Sequence, residues 1–391
     1  MTFWIRPALF ALLLTLAISR SGWSAEPQVV LAHYMPWFEA KPMNDKWGWH
    51  WTMNAFDPDM VIDGKPSLAS HFHPLIGPYD SSDVAVLEYQ LLTMKLAGID
   101  GVIVDWYGLT DFRDYAILHR NTTRLLEAAE RHKMKFIICY EDQTIPALVE
   151  GRRISLADRV THAAKEIEWL GKYWFKSPSY MRLDGKPVLL SFGQTGLTNN
   201  EWSQCLKRSG VEVTYFSQQI RRDAAIGAFD WPTPSEPLPA FERFHKASLD
   251  WPQSIPVAFP RFVDIYAEAQ VGKSYGRLDD DQGKSFSRML QQAFQSKAAL
   301  VQIATWNDWG EGTQIEPSHE FGYRDLESVW KLRRQFSQPK VIAPKLEYLR
   351  LPEKLLERRR KKPADEVSKQ LDQIAELLSE GQCIEASAMM R

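Results

Sequence analysis

Short apolar runs alternate along the chain with segments in which apolar residues recur every three or four positions. The first pattern predicts strands and the second predicts amphipathic helices. Runs such as IVDWYG and FIICYE lack a polar alternate, which is typical of strands buried on both faces of a parallel sheet. The eight predicted strands are Val29–Tyr34, Gly101–Trp106, Lys135–Glu141, Pro187–Phe192, Val211–Phe216, Ala225–Trp231, Pro256–Pro260 and Leu300–Trp306.

Predicted helices lie between these strands. In Asp83–Leu96, the residues Val84, Leu87, Leu91 and Met94 have helical spacing. Eight strand–helix repeats favour a (β/α)8 TIM barrel over an open doubly wound sheet, and no glycine-rich nucleotide-binding turn follows the first strand. The other predicted helices are Tyr115–Arg131, Leu156–Lys172, Asn200–Arg208 and Lys284–Ser296.

The chain is predicted to have three segments. Residues 1–25 have the features of a cleaved signal peptide: Arg6, an apolar run over Pro7–Ile18, and small residues before Glu26. The run is shorter than the roughly 20 residues that span a bilayer, so we expect a secreted or periplasmic protein without stable membrane insertion after signal cleavage. Residues 26–342 would form the barrel, and residues 343–391 a helical C-terminal extension that packs outside it or binds a partner.

Composition narrows the range of functions that the sequence allows. The net charge of −2 gives no reason to expect a nucleic-acid partner, and the three cysteines lack metal-ligand spacing. We expect neither a metal ion nor a cofactor, and the sequence does not indicate an oligomeric state. Aromatic residues make up 12% of the chain, with 15 Trp, many of them in apparent loops. Exposed aromatic rings pack against the C–H faces of sugars, so this content suggests a carbohydrate ligand.

Polar residues beside aromatic residues occur at one predicted strand end after another. In a (β/α)8 barrel the carboxyl ends of the strands and the loops after them carry the catalytic groups. These positions are His33, Tyr34, Asp105, Trp106, Tyr107, Glu141, Asp142, Gln194, Gln218, Asp230, Arg261, Asn307, Asp308 and Glu311.

The stretch Ala304–Pro317, ATWNDWGEGTQIEP, begins as a buried strand and continues as a loop with two carboxylates. Glycoside hydrolysis needs one carboxylic acid to protonate the leaving oxygen and a second carboxylate on the opposite side of the sugar. Asp308 and Glu311 could supply both groups from one loop. The alternative from spacing alone is that they cap backbone amides in a turn.

This stretch resembles the WNEWHEGTQIEP-type signature of family 99 glycoside hydrolases, the endo-α-mannosidases and endo-α-mannanases. TWNDWGE is also similar to the TWNDYGE signature of family 71, the α-1,3-glucanases. VLAHYMPWF and IDGVIVDWYG look like the first and second strands of these families. The resemblance extends from about Val29 to about Leu351 and identifies the chain as 71/99-like, which implies a (β/α)8 hydrolase acting on an α-linked glycan.

The resemblance also implies catalytic roles. Glu311 matches the general acid and base of family 99. Asp308 matches the residue that acts there on the sugar 2-hydroxyl with retention, whereas family 71, with Asp at this place, is thought to invert through a water. The sequence departs from family 99 at two positions, with Asp308 in place of Glu and Gly310 in place of His.

Further residues are predicted to bind the substrate, each with core packing or a structural contact as its alternative. They are Tyr34, Trp37, Asp105, Trp106, Tyr107, Glu141, Asn307 and Trp309. The long loop Pro42–Asp83 adds Trp47, Trp49 and Trp51, whose alternation predicts a strand or hairpin that could line sugar subsites.

The sequence therefore predicts an exported glycoside hydrolase that cleaves α-glycosidic bonds of a polysaccharide or oligosaccharide. Two rivals remain: a non-catalytic carbohydrate-binding barrel, and a glycosyltransferase-like protein associated with polysaccharide biosynthesis. The sugar, the linkage, endo or exo action and the stereochemical outcome are left open.

Overall fold

The computed structural model describes residues 28–391 apart from Pro232, Lys297 and Gln338, so the predicted signal peptide lies outside the described residues. Parallel strands form a barrel surrounded by helices, which confirms the predicted (β/α)8 fold. The barrel strands are β1 (Val29–Tyr34), β2 (Gly101–Trp106), β3 (Lys135–Glu141), β4 (Lys186–Phe192), β5 (Thr214–Gln218), β6 (Gly227–Phe229), β7 (Gln253–Ile255 with Val257–Ala258) and β8 (Leu300–Ile303).

The barrel closes through β7, which Pro256 divides into two halves. The first half pairs with β6 and the second half pairs with β8. Proline has no backbone N–H to donate to a neighbouring strand. Its carbonyl oxygen still accepts from the backbone N–H of Gln302 at 3.0 Å, so the change of partner occurs at the residue that cannot pair on both sides.

The two faces of the strands explain their continuous apolar sequences. Alternate residues fill the barrel interior, for example Leu31, Ile103 and Val188. The residues between them, such as Val30 and Val104, pack outward against the helices. Both faces are therefore buried, as the sequence predicts.

Twelve α-helices are present in the described part of the chain. They are α1 (Trp49–Thr52), α2 (Val84–Ala97), α3 (Tyr115–Arg131), α4 (Thr144–Glu150), α5 (Arg159–Lys172), α6 (Asn199–Ser209), α7 (Pro237–Ser248), α8 (Lys284–Gln295), α9 (Arg324–Phe336), α10 (Leu351–Arg360), α11 (Asp365–Ser379) and α12 (Cys383–Met389). Outside the barrel, two short hairpins pair Val61–Ile62 with Lys65–Pro66 and Phe262–Val263 with Arg277–Leu278, and Arg182–Leu183 pairs with β4. No helix in the described ranges is long and apolar enough to cross a membrane.

The helix α2 is confirmed, but its one-sided apolar face is not. Val84 is 52% exposed, whereas every residue from Val86 to Ala97 is buried. The C-terminal helices α10 and α11 pack on the side of α2 that faces away from the barrel, and Arg359 pairs with Glu88 at 2.6 Å. A helix covered on both sides needs no polar stripe. The spacing of its apolar residues therefore predicts the helix but not which of its sides are buried.

The long loop after β1 contains a second difference from the sequence prediction. Trp49 and Trp51 lie in the short helix α1, not in a strand or hairpin. Trp51 is fully buried and donates its Nε1–H to the Tyr79 carbonyl oxygen at 2.8 Å, while Trp49 is 42% exposed.

Candidate active site

A cavity of about 480 Å³ opens at the carboxyl ends of the barrel strands. All eight strand ends or the loops that follow them contribute side chains to it, including His33 near the end of β1 and Gln218 at the end of β5. Of the predicted site residues, those that line this cavity are Trp37, Asp105, Tyr107, Glu141, Asp308 and Glu311.

Asp308 and Glu311 lie on the tight loop that follows β8. The backbone N–H of Glu311 donates to Asp308 Oδ1 at 3.0 Å, and the backbone N–H of Asp308 donates to Thr305 Oγ1 at 2.8 Å. Asp308 therefore does cap a backbone amide, as the structural alternative predicted. This contact also fixes its carboxylate beside Glu311 in the cavity, so capping and chemistry are compatible at this position.

Burial controls the protonation of the pair. It raises the pKa of Asp308 to about 7, against the opposing effect of the backbone N–H groups of Glu311 and Gly310. Burial and then the charge of Asp308 raise the pKa of Glu311 well above its usual value. The phenol of Tyr266 donates to Glu311 Oε1 at 3.3 Å. The pair is thus suited to hold one proton near neutral pH, with Glu311 the more strongly protonated member.

Two more carboxyl groups lie in the same cavity. Burial, followed by the charge of Asp308, raises the pKa of Asp105 to about 8. Burial and then the charge of Asp105 raise the pKa of Glu141 well above its usual value. One oxygen of Asp105 has no hydrogen-bond partner in the described part of the protein. A buried oxygen without a partner is available to a ligand hydroxyl.

His33, Asp105 and Cys139 form a group that could hold a metal ion, since their potential ligand atoms all lie within 4.8 Å of one another. Imidazole, carboxylate and thiolate are zinc ligands. Burial raises the pKa of the Cys139 thiol and of the Asp105 carboxyl, so metal binding would have to displace protons from both groups.

Trp37 and Tyr107 lie where the sequence predicted them, at the wall of the cavity. The Trp37 ring stacks on the His50 ring with centroids 4.2 Å apart and planes within 6°. Trp37 and Tyr107 also line a second cavity of about 490 Å³. This cavity shares Asp308, Tyr266 and Tyr275 with the first. Asp308 therefore borders both cavities.

Three predicted substrate-binding residues lie instead in a buried hydrogen-bond network beneath the loop that carries Asp308 and Glu311. Tyr34, Asn307 and Trp309 each have 0% exposure and line neither cavity. Asn307 holds the loop to the end of β1: its Oδ1 accepts from Met35 N at 2.8 Å, and its Nδ2 donates to Met35 O at 3.0 Å. The prediction of sugar contact is corrected for all three, because their polar atoms are used within the protein.

Glu316 is the centre of this network and was not predicted. It accepts from Tyr79 Oη at 2.7 Å, from Gln90 Nε2 at 2.8 Å and from Trp309 Nε1 at 3.3 Å. Tyr34 Oη in turn donates to Gln90 Oε1 at 2.6 Å. The IEP end of the sequence signature therefore supports the loop and does not face the cavity.

Trp106 is a fourth predicted substrate-binding residue that does not line the cavity. It is fully buried outside the barrel, where its ring packs at 5.5 Å against Trp174 and at 6.3 Å against Trp169. Asp105, its neighbour in β2, points inward to the cavity. Successive residues of a strand point to opposite faces, so both residues could not line the same site.

The sequence missed several cavity-lining residues. Tyr266 and Tyr275 come from the loops after β7, and their rings meet edge to face at 5.8 Å. Trp231 contacts His33 with ring centroids 5.0 Å apart. The only signal was the aromatic content of the irregular segments after β6 and β7, which does not indicate where these loops fold.

Gly312 permits the turn between the Asp308 and Glu311 carboxyl groups and the strand-like segment that follows. Its φ is +67°, and a Cβ would lie 2.8 Å from the Val263 carbonyl oxygen. We expect Gly312→Ala to lower activity by about ten- to a hundredfold, because the clash displaces the loop that holds Glu311 and small misplacements of catalytic groups are costly. Initial rates on the best glycan substrate would measure this.

Gly185 gives a matched control. Its φ is +77°, but no atom lies within 4 Å of the position that a Cβ would take. Gly185→Ala should share the backbone strain of about 1–3 kcal/mol and keep full activity. Equal activity losses in the two variants would contradict the proposed role of the Gly312 turn.

Comparison with known proteins supplies the family. The family described as "Glycosyltransferase WbsX" matches residues 30–249. A "Glycoprotein endo-alpha-1,2-mannosidase-like protein" of Danio rerio is 21% identical over 295 residues, which cover 68% of this chain and 64% of that protein. An "Uncharacterized protein WxcX" of Xanthomonas campestris pv. campestris is 22% identical over 78% of this chain and 49% of its own length. The chain thus spans less than two thirds of each of these relatives.

The fold has a solved counterpart. The GH99 endo-alpha-mannosidase from Bacteroides thetaiotaomicron superimposes with a TM-score of 0.59 and 17% identity, covering 79% of this chain and 98% of that one. This likeness confirms the resemblance to family 99 at the level of the fold. Since the sequence match to the WbsX family extends over more than half of its length, the chain belongs to the family described as Glycosyltransferase WbsX.

Proposed function

We propose that the protein is an exported glycoside hydrolase that cleaves α-glycosidic bonds of a polysaccharide or oligosaccharide. The observation that carries the proposal is the pair Asp308 and Glu311, two buried carboxyl groups with raised pKa values on one loop at the mouth of the barrel. The Danio rerio relative and the Bacteroides thetaiotaomicron enzyme both carry names of α-mannosidases. These names support the same reaction class.

Glu311 is the general acid and base in this proposal. Its raised pKa keeps the proton that the leaving oxygen requires, and the Tyr266 phenol holds the carboxyl toward the cavity. Asp308 acts as the partner carboxylate, either on the sugar 2-hydroxyl or on a water. Its side chain is one methylene shorter than the Glu of family 99, so both routes are retained, and the anomer of the first product, read by NMR, would distinguish them.

The two adjoining cavities that share Asp308 favour cleavage of internal bonds. The first cavity offers Asp105 and Glu141 to sugar hydroxyls, and the second offers the exposed Trp49 ring and the Trp37–His50 stack to sugar faces. An enzyme with sugar positions on both sides of the catalytic carboxylates should release oligosaccharides before monosaccharides. Chromatography of early products would test this order.

The description of the family as a glycosyltransferase favours a second candidate function, the transfer of a sugar to an acceptor. Transfer from a nucleotide sugar needs a group that holds phosphates, and no glycine-rich turn follows β1 in the described chain. The loop after β1 is instead filled by aromatic residues. A carbohydrate-binding barrel without catalysis is the third candidate, and the buried carboxylate pair disfavours it.

A single panel separates the three candidates. The protein would be incubated with α-mannans, α-1,3-glucans and sulfated glycans, with and without nucleotide sugars, and reducing ends would be measured. Release without a nucleotide sugar supports the hydrolase. Chain growth that requires a nucleotide sugar would replace it with a transferase, and binding in affinity gels without any product would replace it with the binding barrel.

The pH dependence follows from the two carboxyl groups. Asp308 must be ionised, and its pKa is raised to about 7, so kcat/KM should fall as the pH drops below about 7. Glu311 must be protonated, and its raised pKa places the loss of activity on the alkaline side. We therefore expect a bell-shaped profile with its maximum at or above neutral pH. A maximum in clearly acidic solution would contradict this assignment.

Export rests on the sequence of residues 1–25. Expression of the full chain in a secreting host, followed by N-terminal sequencing of the mature protein, should give a start at Glu26. Retention of residues 1–25 on a cell-associated protein would contradict a cleaved signal.

A further inference from the structure

The opposite end of the barrel contains a third, larger cavity, of about 790 Å³. It lies at the amino ends of the strands, between the start of β1, the residues before β3 and the end of α11. None of its lining residues contributes to the two cavities beside Asp308. A ligand here would not compete with the glycan.

The lining is strongly cationic although the whole chain has a net charge of −2. Among the residues that the structure describes, two carboxylates line the cavity, and each already has a partner. Asp100 pairs with Arg333 at 2.8 Å, and Glu380 pairs with Lys133 at 3.4 Å. The six cationic residues are Lys95, Lys133, Lys135, Arg182, Arg333 and Lys340. In the described ranges, four of them have no carboxylate within ion-pair distance.

Two of the cations are buried. Lys95 is 8% exposed, and its Nζ donates to the His132 carbonyl oxygen and to Ser379 Oγ. Burial, followed by repulsion from Lys133, lowers the Lys95 pKa to about 8. Arg333 is 1% exposed, and its Nε has no hydrogen-bond partner among the residues described. Arg333 already has Asp100 as its partner, whereas the Lys95 ammonium has only neutral hydrogen-bond partners among the described residues, and a bound anion would offset the cost of burying its charge.

The remaining positive groups are held in place by neutral partners. Lys135 Nζ donates to the Pro178 carbonyl oxygen at 3.1 Å, and Arg182 donates to the carbonyl oxygens of Gly185 and Phe175. These bonds position the cations without reducing their charge. The cavity is therefore organised before any ligand arrives, which lowers the entropic cost of binding.

Part of the wall is apolar, with Val29, Ile99, Met134 and Tyr180 among its residues. A ligand that fits this lining combines an anionic head with an apolar body. We propose that the cavity binds an organic phosphate or sulfate ester, with the anionic group near Lys95, Lys135 and Arg182 and the apolar part against this wall.

Isothermal titration calorimetry of the mature protein at constant ionic strength would test the proposal. Phenyl phosphate and phenyl sulfate are the probes, and inorganic phosphate and sulfate represent the head groups alone. We expect saturable binding of at least one ester, tighter than that of its inorganic ion. Tighter binding of phenyl phosphate than of phenyl sulfate would identify a phosphate ester as the ligand, and the reverse order a sulfate ester. Equal affinities for ester and inorganic ion would overturn the apolar part of the proposal.

Variants locate the binding. Lys135→Gln with Arg182→Gln removes two partly exposed cations and should weaken ester binding at least about tenfold, as expected for loss of charge-assisted hydrogen bonds. Lys172→Gln with Lys207→Gln removes the same charge from the protein surface elsewhere and should leave the affinity within about twofold. If the first pair reduces folding, Lys340→Glu replaces it. No saturable binding, or equal affinity in the cavity and control variants, would overturn the proposal.

Discussion

Replacing Glu311 by glutamine is expected to lower glycan hydrolysis at least about a hundredfold, since general acid–base groups contribute about 10²–10⁴ in rate. The amide has nearly the same shape as the carboxyl group but cannot protonate the leaving oxygen. The side chain makes one hydrogen bond, from Tyr266 at 3.3 Å, so the variant should keep the stability of the wild type. Reducing-end release and thermal unfolding, measured on the same preparation, would separate these effects.

Glu268→Gln is the matched control. Glu268 follows β7 on the same side of the barrel as Tyr266, but its side chain is 63% exposed. It should hydrolyse glycans at the rate of the wild type. Activity that survives Glu311→Gln would reassign the acid, and Glu141, a glutamate in the same cavity whose pKa is also raised well above its usual value, would be substituted next.

The largest expected loss of stability follows from Arg261→Met. Arg261 is 2% exposed, pairs with Asp325 and Asp280, and donates to the Gln314 carbonyl oxygen at 2.6 Å. Its guanidinium also lies 3.9 Å from the centroid of the Phe321 ring. Removing it leaves Asp325, which is 4% exposed, with Arg324 at 3.1 Å as its remaining partner, and this should lower the free energy of unfolding by about 3 kcal/mol.

A double-mutant cycle gives the control. Arg261→Met with Asp325→Leu removes both buried charges and should recover much of the loss, because an apolar pair of similar volume often replaces a buried ion pair without cost. Arg243→Met breaks the exposed pair with Glu236 and should cost less than about 1 kcal/mol. If Arg261→Met unfolds in denaturant like Arg243→Met, the buried pair does not have the proposed importance.

The strands were predicted best where burial on both faces is combined with branched residues. The bounds of β1, β2 and β3 follow directly from their apolar runs. Around β7 the prediction was displaced, because Pro256 lies inside the strand and a proline normally indicates an end. The pattern does not show that a barrel can close by dividing one strand between two partners.

The sequence predicted which strand ends carry the site residues, but not which side chains at those ends point into the cavity. His33 and Asp105 point into the barrel, while Tyr34 and Trp106 point to the helices. The two-residue period of a strand separates these pairs, but runs that are apolar on both faces hide which phase points inward. Tyr266 and Tyr275 join the cavity through loop folding, which depends on tertiary contacts such as the Asp264 hydrogen bonds to Ser274 and Tyr275.

The burial of α2 on both sides bears on how the protein can be shortened. Its outer side is covered by α10 and α11, whose Leu355, Leu371 and Ile374 belong to the same core as the barrel helices. A truncation before Leu351 would leave this leucine-rich helix facing water, and the shortened chain should aggregate. The C-terminal helices are therefore part of the folding unit, and any minimal catalytic fragment of this protein must include them.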